Sequence, residues 1–218
     1  MTVFALKLFA LITMIIDHTG DVLLPQYRFL RYIGRLSFPI YAFLIVEGYV
    51  HTKSVRRYLI RLGIFALISE VPFDLAFYGT YFYKDSQNVF FTLFLGLLSI
   101  VLIDRFVYHT ALQMILVASL GVLAQVMHTD YRYIGVCLIA VFFLYRDRLL
   151  FKNAGAVNAL IPFSSRIEFM ACASLFPIML YNGRPGRYKW RYFFYIIYPA
   201  HLLLLAFIRW KIYGIWTY

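Results

Sequence analysis

An all-α integral membrane bundle of about eight helices, within a range of seven to nine, is the fold this sequence predicts. Three observations carry the prediction. The chain is 63% hydrophobic and 20% aromatic but only 14% charged, whereas a soluble domain is about 45–50% apolar and about 25% charged. Apolar runs recur along its whole length, separated by brief stretches rich in turn residues. At about 20 residues per span, 218 residues make about seven to nine crossings and leave no length for a separate soluble domain. Residues 1–218 therefore read as one transmembrane domain. The composition excludes a disordered chain, a solvated helical bundle and an ordinary cytosolic enzyme.

Eight apolar segments follow in order, and each is expected to be helical because lipid offers no partner for an unpaired backbone group. The first, about 3–24, is a span rather than a cleavable signal, because Lys7 lies inside it and no small-residue cleavage site follows. In the second, about 33–50, Pro39 is expected to free a carbonyl, kink the helix and open a cavity. The third, about 57–78, opens with Arg56, Arg57 and Arg61. The fourth, about 89–107, follows Asn88 and carries Thr92 and Ser99, a polar stripe suited to interhelical hydrogen bonds. Segments 111–127 and 133–146 are short, and 165–181 and 190–212 complete the set. The gap at 147–164 contains Asn153, Gly155, Asn158 and Pro162 and reads as a re-entrant or interfacial piece. Leu24-Pro25, Lys84-Asp85-Ser86 and Asn182-Gly183-Arg184-Pro185-Gly186 punctuate the loops.

The net charge of +11 belongs to short Lys/Arg clusters between apolar runs. There they oppose anionic headgroups, so the expected partner is the bilayer and not nucleic acid. Eight crossings put both termini on one side. With the N-terminus cytoplasmic, 12 of the 21 Lys and Arg residues fall inside, as the positive-inside rule favours. Cys137 and Cys172 each lie within an apolar run and read as small buried hydrophobes, not as a disulfide or a metal site.

Ionisable side chains within spans cost about 2.5–3.5 kcal/mol on insertion scales and mark function by default. Lys7 and His18 are eleven residues apart, which returns a helix to within about 20° of its starting azimuth and separates them by about 16 Å. Asp21 lies one turn beyond His18 on that stripe, and Asp17 adjoins it in sequence. A base with carboxylates in reach and a cation three turns away suits an elongated anionic substrate. Arg35 opens the second segment, and Glu47 and His51 form an i, i+4 pair at its end. Glu70 and Asp74 stand one turn apart around Pro72, where a nearby arginine is expected to relieve their repulsion. The last segment holds Tyr192, Tyr195, Tyr198, Pro199 and His201.

The sequence lacks the His-Glu-x-x-His pair of zinc proteases, the Gly-x-Ser-x-Gly elbow of serine hydrolases and a Walker loop. What remains is acid–base chemistry by His, Asp and Glu, or proton conduction by the same groups.

The residues resemble the TraX family of bacterial membrane proteins. The resemblance rests on Lys7 through Asp17-His18, Gly34-Arg35-Leu-Ser-Phe-Pro39, Glu47-Gly48 with His51-Thr52, and Tyr58-x-x-Arg61-Leu62. It continues through Ser69-Glu70-x-Pro72-Phe73, Asn88-x-x-x-Thr92 and Tyr195-x-x-Tyr198-Pro199-x-His201, and so covers most of the chain. That family is named for a protein that N-acetylates conjugative pilin, and it is grouped with larger membrane acyltransferases. In many of those an arginine, ten residues and a histidine occupy the first span. Here lysine replaces the arginine, keeping the charge without the planar fork.

The resemblance implies an acetyl-CoA-dependent acyltransferase of the bacterial inner membrane, acting on a pilin-like or other envelope acceptor. In that reading His18 is the general base or carries the acetyl group, and Asp17 or Asp21 orients it. Lys7, Arg35, Arg57 and Arg61 meet the phosphates of CoA. Glu47, His51, Glu70, Asp74, Asn88, Tyr195 and His201 line the channel, and no metal is required. Two alternatives stay open: a proton-coupled transporter or channel, and a non-catalytic factor for assembling envelope appendages.

Overall fold

The computed structural model describes residues 1–160, 170–186 and 190–214, and among these described residues it has ten α-helices and one 3-10 turn. In chain order they are α1 (Val3–Val22), α2 (Phe29–Gly34), α3 (Ser37–Val50), α4 (Val55–Phe77), α5 (Val89–Phe106), α6 (Thr110–Val126) and α7 (Arg132–Leu144). Then come α8 (Leu149–Leu160), the 3-10 turn Met170–Ser174, α9 (Leu175–Met179) and α10 (Arg191–Tyr213). The all-helical membrane fold expected from composition is the one observed. Among the described residues four stretches are long and apolar enough to cross a bilayer: Val3–Val22, Phe29–Val50, Val89–Phe106 and Tyr192–Tyr213. Large apolar side chains such as Ile12, Leu67, Met114 and Phe176 point outward, as lipid-facing residues do.

Local chemistry explains several boundaries. Thr2 caps α1 by accepting the Ala5 N–H at 3.2 Å. Asn88 caps α5 through the Phe90 N–H at 3.0 Å. Pro39 stands in the first turn of α3, where its missing N–H is one that no helix would satisfy. The break in the Phe29–Val50 stretch falls before it, at Arg35–Leu36, so the kink expected at Pro39 is instead a junction between two helices.

The chain divides into two compact units. One holds Met1–Tyr41, Ile68–Tyr83 and Phe163–Tyr218, and the other Ala42–Leu67 and Lys84–Pro162. In the second unit the contact between α5 and α7 is close enough that a Cβ on Gly96 would overlap Ile139. Leu95, Ala124 and Val136 form a core among α5, α6 and α7. The α6–α7 turn carries positive φ at His128, Tyr131 and Arg132, and Gln87 pairs with His128 and Asp130 across it.

In the first unit α1 and α10 run parallel. Phe4 meets Trp190 and Phe194, each at 6.0 Å between ring centres. Lys7 Nζ lies 5.6 Å over the Phe194 ring, His18 meets Tyr198 and His201, and the Tyr213 hydroxyl donates to the Leu23 carbonyl at 3.3 Å. The numbers rise together along both helices. The approach to α10 agrees, since Asn182 and Arg184 pair with Met1 and Val3 at the start of α1.

The expectation of about eight helices, within seven to nine, agrees with this bundle, and the parallel run of α1 and α10 differs from the antiparallel first and last spans that an eight-crossing path would give. The stretch read as a re-entrant or interfacial piece contributes a helix of its own. Asn153, Gly155 and Asn158 dilute its apolar character, yet 149–160 is helix α8, with Ala156 and Leu160 buried. A Cβ on Gly155 would stand 2.8 Å from Val141, so α8 packs through small residues. Pro162, Arg166 and residues 165–169 of the seventh segment lie outside the described residues.

Single-cysteine probes at Tyr27 and Tyr213, in a chain lacking Cys137 and Cys172, are expected to label from the same side of a sealed vesicle. Labelling from opposite sides contradicts the parallel arrangement.

Candidate active site

The centre of the first unit is a pair of histidines. His18, half-buried on α1, places its Nδ1 2.8 Å from Nε2 of His201 on α10. His201 is 7% exposed, and its Nδ1 lies 2.8 Å from the carbonyl oxygen of Ile197, one turn earlier. The two imidazoles are within 9° of parallel and 5.1 Å apart between centres. That separation equals the N···N distance plus about one ring radius at each end, so the rings meet edge to edge and in plane, the direction a ring lone pair requires. Phe77 stands edge-on to His18 at 5.3 Å and Tyr198 at 6.0 Å, while Tyr198 also contacts His201 at 5.6 Å. Aromatic walls thus fix both rings.

The carboxylates expected to orient His18 are engaged elsewhere. Arg31 of α2 pairs with Asp21 and lies 3.5 Å from Asp17. Asp17 is 8% exposed, and its side chain occupies the space a Cβ on Gly34 would need. The acidic pair therefore ties α1 to α2, and His201 takes the position on the imidazole assigned to a carboxylate. Arg35 acts electrostatically on both Asp17 and His18. Lys7 shares the stripe of His18 towards α10, as the eleven-residue spacing predicts, and its Nζ sits over Phe194.

Asp74 is fully buried on α4. Its Oδ2 accepts the Tyr83 N–H at 2.9 Å, and its Oδ1 has no hydrogen-bond partner among the described residues. Arg209 of α10 is also buried and donates from Nη1 to the carbonyls of Ala76 at 2.8 Å and Phe77 at 3.2 Å. A cation on the last carbonyls of α4 opposes the negative end of the helix dipole. Glu70 is half-buried one turn before Asp74, and Tyr195 is half-buried on α10.

The remaining candidates belong to the second unit. Arg57 is exposed at the start of α4, and Arg61 stacks 5.4 Å over Tyr58. His51 Nδ1 approaches Glu47 Oε2 at 3.8 Å and the Glu47 carbonyl oxygen at 2.9 Å. Lys152 feels the Glu47 carboxylate and sits 5.3 Å over Phe43. Asn88 is fully buried; besides capping α5 it donates to the Ala66 carbonyl at 2.8 Å. Thr92 bonds Thr129 at 3.0 Å and the Asp130 carbonyl, so Asn88 and Thr92 join α5 to other elements, whereas Ser99 donates to the Gly96 carbonyl of its own helix at 2.7 Å.

Sequence reasoning did not single out Arg31 or Arg209. Arg31 had a signal, the middle one of three cations, Arg28, Arg31 and Arg35, that follow Asp21 across a proline turn. Arg209 had none beyond its place inside an apolar run.

The family model described as TraX protein matches residues 3–209. The chain belongs to the TraX family. A curated relative, the probable fimbrial assembly protein FimC, serogroup H1, of Dichelobacter nodosus, is 29% identical over 231 residues, covering 93% of each chain. No solved structure matches. Within this TraX chain the matched span includes every candidate site residue named above, from Lys7 to Arg209.

Proposed function

We propose that this TraX-family protein transfers an acetyl group from acetyl-CoA to an amine or hydroxyl of a pilin-like or other envelope acceptor. The observation that carries the reading is the His18–His201 pair, two neutral-capable bases held edge to edge between apolar helices. A simple packing role calls for neither. The relative's name, a fimbrial assembly protein, supports an acceptor among envelope appendages.

In the reaction His18 removes a proton from the acceptor as its nitrogen or oxygen attacks the thioester carbonyl. The new bond to the acetyl carbon forms, the C–S bond breaks, and the proton passes to the departing thiolate. Acetyl-CoA and acceptor become CoA thiol and acetylated acceptor. Lys7, about 16 Å along α1 by the helical rise, offers a cation on the same stripe, with Arg35 of the same unit as a further phosphate partner; the resemblance gives Arg57 and Arg61 of the second unit the same role. With the start of α1 in the cytoplasm, Arg184 lies on that side and Arg209 and Lys211 at the far end of α10. The bilayer in question is the bacterial inner membrane.

Neutralising Arg57 and Arg61 together is expected to raise the KM for acetyl-CoA about tenfold or more, with kcat within about threefold, because distant phosphate contacts act as uniform binding. An unchanged KM removes both from the donor site. The assembly-factor alternative, which the relative's name also fits, is separated by binding: saturable uptake of acetyl-CoA by the purified protein supports transfer, and none supports assembly alone.

A further inference from the structure

The contact between the two histidines has a direction. The carbonyl oxygen of Ile197 can only accept, so the His201 Nδ1 lying 2.8 Å from it bears the hydrogen. With both rings neutral, Nε2 of His201 is then a lone pair. The His18 Nδ1 aimed at that lone pair from 2.8 Å must be the donor. Each imidazole nitrogen is thereby assigned, and Nε2 of His18 is left with the lone pair. An unconstrained imidazole exchanges its hydrogen between its two nitrogens, and a base in the wrong form presents N–H where a lone pair is needed.

Resting on the acyltransferase reading above, we infer that His201 is a positioning residue, which accepts the Nδ1–H of His18 and so holds Nε2 of His18 as the base. The backbone supplies the reference, because the Ile197 carbonyl belongs to the same helix as His201 and moves with it. The aromatic walls keep the in-plane geometry: Phe77 and Tyr198 border His18, and Tyr198 also borders His201. Asp17 and Asp21 cannot substitute while Arg31 holds them.

In the reaction the acceptor proton moves to Nε2 of His18, giving an imidazolium whose Nδ1–H donates to the His201 lone pair. That charge-assisted bond is stronger than the neutral one it replaces. The same proton then leaves from Nε2 to the thiolate as the C–S bond breaks, restoring the neutral pair. His201 exchanges nothing with substrate.

The test is the tautomer of His18, read from imidazole nitrogen shifts in protein labelled with ¹⁵N-histidine and reconstituted in nanodiscs. The five histidines are assigned by removing each in turn. In the parent, His18 is expected to carry its hydrogen on Nδ1. In His201→Leu the hydrogen is expected on Nε2, with kcat lower on the order of 100-fold and KM for acetyl-CoA within about threefold. His201→Gln offers an amide oxygen where Nε2 stood, and is expected to retain the Nδ1–H form and to exceed His201→Leu about tenfold in kcat. An Nε2–H form of His18 in the parent overturns the proposal, as does an unchanged tautomer in His201→Leu. If His201→Leu does not fold, the parent spectrum and His201→Gln decide it. The spectrum needs no turnover: a parent that shows the Nδ1–H form but transfers no acetyl overturns the acyltransferase reading, and with it the catalytic use of the pair, while the assignment of the hydrogen stands.

Discussion

Replacing His18 with alanine is expected to lower acetyl transfer by roughly 10²–10⁴-fold, the usual contribution of a positioned base. Acetyl-CoA binding should stay within a fewfold of the parent. The asymmetry follows from position: His18 lies about 16 Å along α1 from Lys7, so its loss removes proton transfer without touching the cation on the same stripe. Stability should fall only modestly, because His18 is half-buried and the partner it leaves, Nε2 of His201, is a neutral acceptor. The comparison is steady-state kinetics with acetyl-CoA varied, alongside a binding isotherm. Equal turnover in mutant and parent would remove His18 from the chemistry.

The largest effect on the fold is expected at Gly34. An added Cβ there meets Cβ, Cγ and Oδ1 of Asp17, the near part of a buried side chain rather than the free end of a flexible one. Asp17 cannot swing away without leaving Arg31, which also pairs with Asp21. Gly34→Ala therefore forces α2 off α1, at about 3 kcal/mol from overpacking, before any loss of the ion pair. In a chain of this length that lowers the thermal midpoint by roughly 6–12 °C. Gly63→Ala is the control, since its nearest neighbour would be the Phe94 ring at 3.7 Å, an ordinary contact. Similar midpoints for the two variants would show that the α1–α2 contact is looser than the geometry requires.

The class of the fold was legible because composition and the length of apolar runs are properties of the chain itself. Helix α8 was not. The residues that make α8 helical and packed are the small and polar ones, Asn153, Gly155 and Asn158, that also erase an apolar signature. Only the pairing of Phe4, Lys7 and His18 with α10 reveals the direction of the last helix. In the site, the Lys7–His18 stripe was legible, since eleven residues bring a helix round to the same face. The partner of His18 was not, because His201 is 183 residues away and Asp17 and Asp21 stood nearer in sequence. Those carboxylates were spoken for by Arg31, a cation across a turn. Asn88 carried two possible meanings, channel lining or interhelical hydrogen bond, and the Phe90 and Ala66 bonds show it capping α5 and joining it to α4.

The proposed function requires that the protein move an acetyl group. The most direct measurement incubates the reconstituted parent with isotopically labelled acetyl-CoA and a peptide bearing one primary amine. Labelled acetyl on the peptide and free CoA thiol in solution are then counted together. One thiol released per acetyl gained, in the parent and not in His18→Ala, is the result expected. Unmodified peptide with acetyl-CoA intact, from protein that is folded and embedded in lipid, would contradict it.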